Sequence, residues 1–207
     1  MNRREFLKRA VVHSSVFGII VSFFHELQIA KPFWIDFGFQ EKGLLRPPGA
    51  LSENEFLSKC IRCTRCQDVC ESGAIQLFDF YSGKWSGTPY IIPKSTACNL
   101  CLECGSACPT GALQIVDDMT AVHMGIAEVN KDLCVSYNNT GICGACYTIC
   151  PLKGKAISQG LRNQPAVHTD HCVGCGLCEE VCIVKGSQKA IRVLSTRHWS
   201  SYEKKSA

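Results

Sequence analysis

The chain has 207 residues, of which 19% are charged and sixteen are cysteine, and its formal net charge is +4. That length bounds the fold at one or two domains. The basic residues sit largely at the two ends, in Arg3, Arg4, Lys8 and Arg9 and again in Arg192, Arg197, Lys204 and Lys205, so the charge makes no case for a nucleic-acid partner. No constellation of His, Asp, Glu or Ser marks acid–base or nucleophilic catalysis.

The N-terminus reads Asn2-Arg3-Arg4-Glu5-Phe6-Leu7-Lys8, followed by an apolar stretch over residues 10–24. A basic n-region and an apolar h-region are the parts of an export signal. The Arg-Arg-x-Phe-Leu-Lys pattern is similar to a twin-arginine signal. No small-x-small cleavage site follows, because Gln28-Ile29-Ala30 places a bulky polar residue where a small one belongs. The apolar stretch is shorter than the roughly 20 residues of a full span, and Leu27 and Ile29 extend it. Residues 1–30 therefore read as a twin-arginine signal or, the expected case, an uncleaved membrane anchor. The basic residues ahead of it put the N-terminus in the cytoplasm and the remainder on the outer face.

Residues 31–50 read as a linker, broken by Pro32, Gly38, Gly43, Pro47, Pro48 and Gly49. Ser52-Glu53-Asn54-Glu55 then reads as a capping box opening a short helix into Cys60. All sixteen cysteines lie between residues 60 and 182, in four clusters: Cys60-Cys63-Cys66-Cys70, Cys98-Cys101-Cys104-Cys108, Cys134-Cys143-Cys146-Cys150 and Cys172-Cys175-Cys178-Cys182. Three of them follow C-x2-C-x2-C-x3-C, and the third motif widens only the first gap. This is the run by which bacterial-type ferredoxins bind [4Fe–4S] clusters. Three cysteines in one tight loop face one cubane, and the fourth turns away to ligate the cubane of a partner motif. Sixteen thiolates and four [4Fe–4S] clusters balance, so all sixteen cysteines are expected as ligands. Structural zinc wants separated C-x2-4-C pairs, disulfides do not require such regularity, and no C-x-x-C-H marks covalent haem. Four oxidised clusters of about −2 each turn the formal +4 into about −4.

A longer repeat surrounds the cysteines. Ala74-Ile75, Ala112-Leu113, Ala156-Ile157 and Ala190-Ile191 follow the fourth cysteines, and Val129 and Val167 precede the last two motifs. Each unit reads as a strand, a cluster loop, a short helix carrying the last cysteine, and a second strand. The expected fold is α+β: two bacterial dicluster ferredoxin-like βαββαβ modules over residues 51–195, behind the N-terminal signal or anchor helix, with a basic tail at 196–207. Spacing leaves two pairings open, sequential (first with second, third with fourth) and nested (first with fourth, second with third). Four-cluster subunits of molybdenum-enzyme families use the nested scheme, which is the expectation here. Residues 77–94, rich in aromatics, read as a hairpin covering a cluster or as a docking surface for a membrane partner. Residues 135–142 read as a loop insertion.

Beyond the cysteines, Leu45-Arg46-Pro47-Pro48-Gly49-Ala50, Glu53-Asn54-Glu55-Phe56, Ser86-Gly87-Thr88-Pro89-Tyr90, Met124-Gly125-Ile126-Ala127 and Val167-His168-Thr169-Asp170-His171-Cys172 resemble the NapG/MauM group of ferredoxin-type proteins. The resemblance implies a four-cluster electron-transfer subunit of a membrane quinol dehydrogenase. Its implied partners are a polytopic NapH-like iron–sulfur protein that oxidises quinol and a periplasmic c-type cytochrome or reductase. It places the chain at the periplasmic face of a bacterial inner membrane, held through its N-terminal helix. An exported iron–sulfur protein must cross folded, since its clusters are built in the cytosol, and the twin-arginine route carries folded cargo. The second expectation, on the MauM side, is a maturation or assembly factor for a periplasmic redox enzyme.

Overall fold

The computed structural model describes residues 44–184, 186 and 188–197. The expected signal or anchor, the linker up to residue 43 and the tail from residue 198 lie outside the described residues. Among the described residues no helix is long and apolar enough to cross a membrane.

Local sequence sets short elements around each cysteine run. Helix α1 (Glu53–Lys59) starts at Ser52, carries Glu53 and Glu55 in its first turn and Lys59 in its last, and buries Phe56. Both charge placements oppose the helix dipole. The capping box takes an altered form: the Ser52 hydroxyl donates to Glu55 Oε2 at 2.5 Å and caps no backbone N–H. Four further helices are one turn long: α2 (Arg65–Asp68), α3 (Glu103–Ser106), α4 (Ala145–Ile149) and α5 (Leu177–Glu180). Each contains the third cysteine of its motif and ends before the fourth, contrary to the expectation that it would carry the last. Pro109 and Pro151 follow two of the fourth cysteines and bias them away from helical backbone. That frees the fourth side chain to leave its own motif.

The strands form three antiparallel pairs among the described residues. β1 (Ile75–Leu77) pairs with β2 (Pro89–Ile91), β4 (Ile157–Gln159) with β5 (Pro165–Val167), and β3 (Gly125–Val129) with β6 (Ile191–Ser195). The second half of the chain thus nests an inner hairpin within an outer pair. The first half keeps its inner hairpin and reduces the outer pair to the single bridge Ala50↔Leu113. These pairings correct the nested expectation. β1–β2 folds the chain between the first and second motifs back on itself, so that α2 packs against α3; β4–β5 likewise brings α4 against α5. The motifs pair sequentially.

Residues 44–50 are not linker. Leu44, Leu45, Arg46 and Pro47 are buried, and Leu45 exchanges backbone hydrogen bonds with Ile91. The Arg46 guanidinium is held by Glu53 through Nε (3.1 Å) and Nη2 (2.5 Å), and by Thr88 Oγ1 (2.9 Å) and the Pro89 carbonyl (2.5 Å) through Nη1. It lies over the rings of Phe56 and Phe78, and Trp85 Nε1–H donates to Glu53 as well. Gly49 sits at φ +74°, where a Cβ would collide with the Gln114 carbonyl. Arg197 donates to the Ala50 and Leu51 carbonyls, so the first residues of the expected tail are also tied in. Phe78, Trp85 and Tyr90 pack with Leu44 and Ile92, so the hairpin aromatics cover this arginine network, while Phe80 and Tyr81 at its tip are exposed.

Removing Arg46 leaves Glu53 part-buried without its cation, and breaking such a pair from one side costs about 3–5 kcal/mol. Arg46→Met should lower the denaturant midpoint of the holo protein accordingly, and the Arg46→Met, Glu53→Gln double variant should recover part of the loss. An unchanged midpoint in the single variant would contradict a structural role for the segment.

Candidate metal centres

The three cysteine loops with regular spacing share one backbone signature. Arg62 and Thr64, Leu100 and Leu102, and Gly174 and Gly176 all have φ between +58° and +91°, at the second and fourth positions after the first cysteine. Left-handed backbone is unfavourable for Arg, Thr and Leu, and such outliers persist where the surroundings fix them. Alternation of right- and left-handed residues turns successive N–H groups inward to form an anion-binding nest. Each helix α2, α3 and α5 begins directly after the second of these residues. Arg62 also clamps its loop to the hairpin, donating to the Ser86 carbonyl at 2.7 Å.

The widened third motif reaches its geometry differently. The inserted residues 135–142 bring Ser136, fully buried, against Cys143. The Ser136 hydroxyl accepts the Cys143 N–H at 3.0 Å and donates to the Cys143 carbonyl at 3.2 Å. The segment expected to be a plain insertion is thus a brace for a cysteine. Nothing in the spacing signals it.

The structure gathers twelve of the sixteen cysteines around three cavities, four to each. Cys60, Cys63, Cys66 and Cys108 line one cavity (site I). Cys134, Cys143, Cys146 and Cys182 line a second (site III), and Cys150, Cys172, Cys175 and Cys178 a third (site IV). The remaining four are Cys70, Cys98, Cys101 and Cys104; Cys98 lies within electrostatic reach of Cys175, Cys101 and Cys70, and Cys104 of Cys98, Cys101 and Cys66, and these four are grouped as site II. Every set takes three cysteines from one motif and the fourth from its sequential partner.

The three cavities open partly to solvent. Among the described residues no three Cys, His, Asp or Glu side chains close on the position of a single metal ion. A cubane's four iron corners call for thiolates spread more widely, and the donor set fits it.

Thiolates here need a compensating positive centre. Burial, then neighbouring cysteines, push Cys66 up to about 11. Burial dominates at Cys98 and Cys104, pushed up to about 12, and at Cys146 and Cys175, pushed up to about 11. Two of the crossing cysteines behave oppositely. Burial raises Cys70, but the Ser72 hydroxyl and the N–H groups of Ile75, Ala74 and Gly73 together outweigh it and lower the thiol. At Cys108 burial is likewise outweighed, by the N–H groups of Leu113, Thr110 and Ala112 and by the Thr110 hydroxyl; Leu113 N–H donates to its sulfur at 3.4 Å. The cysteine pattern does not point to Ser72 or Thr110, although both occupy the second position after a fourth cysteine.

The profile of the 4Fe-4S dicluster domain matches residues 59–112, and that of the 4Fe-4S binding domain matches residues 165–185. The chain is 37% identical over 164 residues to the ferredoxin-type protein NapG of Escherichia coli, covering 72% of this chain and 70% of that one. It is 37% identical over 165 residues to the methylamine utilization ferredoxin-type protein MauM of Methylorubrum extorquens, covering 74% of each. To the NapG of Haemophilus influenzae it is 32% identical over 210 residues, covering 93% of this chain and 71% of that one. No solved structure matches it. Sites and matches together define a ferredoxin-type iron–sulfur protein of electron transfer, with [4Fe–4S]-binding domains. Within that class the chain belongs to the NapG/MauM family.

Metal binds thiolate, so protons compete with iron at these raised thiols. Uptake of iron and sulfide by anaerobically stripped protein should therefore rise from pH 6.5 to 8.5, with release of protons into weak buffer. Uptake that is flat or falling with pH would contradict thiol protonation as the opposing force.

Proposed function

We propose that the chain is a four-cluster electron conduit at the periplasmic face of the inner membrane, with [4Fe–4S] groups in sites I to IV and all sixteen cysteines as ligands. The observation that carries this is that three cavities each gather four cysteines, three from one motif and one from its sequential partner, and that the four cysteines outside them follow the same rule. A [4Fe–4S] group held there would supply one-electron redox chemistry. The protein's part is to hold and tune. Three cysteines from one loop and one from the partner motif make each site rigid, and hydrogen bonds to sulfur raise the ease of reduction. Those bonds fall on Cys108 in site I from Leu113 and Thr110, on Cys70 in site II from Ser72, and on Cys172 in site IV from the Ala127 N–H.

The wider setting rests on the family. Relatives are named ferredoxin-type proteins NapG and, in methylamine utilization, MauM. We take the electron donor to be a NapH-like polytopic quinol dehydrogenase and the acceptor a periplasmic c-type cytochrome or reductase. Export by the twin-arginine route and an uncleaved anchor at residues 1–30 would hold the clusters between them. The two βαββαβ modules then act as one relay subunit with no substrate chemistry of their own.

Redox-monitored EPR of anaerobically purified protein should integrate to about four spins per chain at full reduction. A deletion strain should accumulate an assembled but unreduced terminal enzyme. Fewer spins would remove the four-site reading, and a deletion strain lacking the mature enzyme would instead make the chain an assembly factor.

A further inference from the structure

Both halves hold a pair of sites, I with II and III with IV, and within each half the crossing cysteines tie one site to the other. Cys104 of site II lies within electrostatic reach of Cys66 of site I, and Cys178 of site IV within reach of Cys146 of site III. What joins the halves near the cysteines is motif 2 against motif 4. The Cys98 N–H donates to the Cys175 carbonyl at 3.1 Å. One residue earlier, the Ala97 N–H donates to Glu180 Oε2 at 3.1 Å. Gly176 (φ +91°) packs so closely on Pro93 that a Cβ there would collide with it. Three contacts on consecutive or near-consecutive residues therefore press site II against site IV.

Exposure sets site I apart from site II. Cys98 and Cys104 of site II, Cys175 of site IV and Cys134 of site III are buried, as are Leu100 and Val173. Site I carries the one exposed cysteine among the described residues, Cys63, and its lining residue Ile61 is 62% exposed. Site III is rimmed by Ile183, 57% exposed, and Ile142 next to Cys143 is 68% exposed.

We propose that the four sites form a single line in the order I, II, IV, III, joined at the Cys98–Cys175 contact, with sites I and III, at its ends, as its two ports. The order differs from the order along the chain: the last motif lies inside the line and the third lies at its end. The inference rests on the four-site reading above and adds the connectivity. An electron entering at one port leaves at the other with no net change in the sites between.

Pulsed EPR on double variants tests the order. Cys63→Ser with Cys143→Ser empties the ports, and the remaining sites II and IV should still show a spin-coupled, broadened signal on reduction. Cys101→Ser with Cys172→Ser empties the middle, and sites I and III should give narrow, uncoupled signals. Coupling that survives in the second variant, or is lost in the first, overturns the order. Single Cys101→Asp and Cys172→Asp variants keep an oxygen ligand and guard against misfolding. Each should alter the coupling of the other's site, and a Cys101→Asp change that leaves site IV untouched also overturns the order. Iron content separates the two readings. An unaltered chain well short of about sixteen iron atoms would contradict the four sites themselves, whereas full iron with the wrong coupling pattern contradicts only the line.

Discussion

Sixteen thiols gathered into one small domain impose the constraint on which the remaining structure depends. Burial disfavours thiolate, and neighbouring thiolates disfavour it further, as the raised values at Cys66, Cys98, Cys104, Cys146 and Cys175 record. Only a positive centre shared among them makes such crowding stable. An iron–sulfur core meets that need, and its binding free energy becomes folding free energy. That explains why the helices can be one turn long and the strands three to five residues. The polypeptide has to bend sharply around each site, and the left-handed pairs at Arg62 and Thr64 and at Leu100 and Leu102 show where that bending is concentrated.

Around this inorganic core the chain adds conventional fastenings. The Arg46–Glu53 pair, stacked between Phe56 and Phe78, ties the segment ahead of the first motif to the β1–β2 hairpin. Ser136 does for the third motif what regular spacing does for the others. Lys189 donates to the Cys182 carbonyl at 2.7 Å, steadying the cysteine that crosses into site III. Each fastening lies one layer behind the sulfurs and holds a backbone that the metal alone would not orient.

Cysteine spacing alone makes the cofactor class and all four sets of loop cysteines legible, because three thiols in seven residues have few other uses. The positions of β1, β4 and β6 follow from the Ala-Ile pairs at 74–75, 156–157 and 190–191. The pairing of motifs does not follow. Spacing within a motif is the same under either scheme, and the decision lies in hairpins whose strands are three residues long. Residues 44–50 look like linker because proline and glycine signal irregular backbone but not exposure. Arg46 is buried only because Glu53 and the Thr88–Pro89 turn meet it there. The one-turn helices, expected to carry the fourth cysteine, carry the third, since the chain must leave the helix for the fourth sulfur to reach its neighbour.

The crossing of the fourth cysteines between sequential partners is the feature that most directly defines the site architecture. A crystal structure of the anaerobically prepared protein, phased at the iron absorption edge, tests it in one step. It should show iron at four positions, with Cys108 on the site of the first motif, Cys70 on that of the second, Cys182 on that of the third and Cys150 on that of the fourth. Iron bridging the first motif to the fourth, or a fourth cysteine ligating within its own motif, would contradict it.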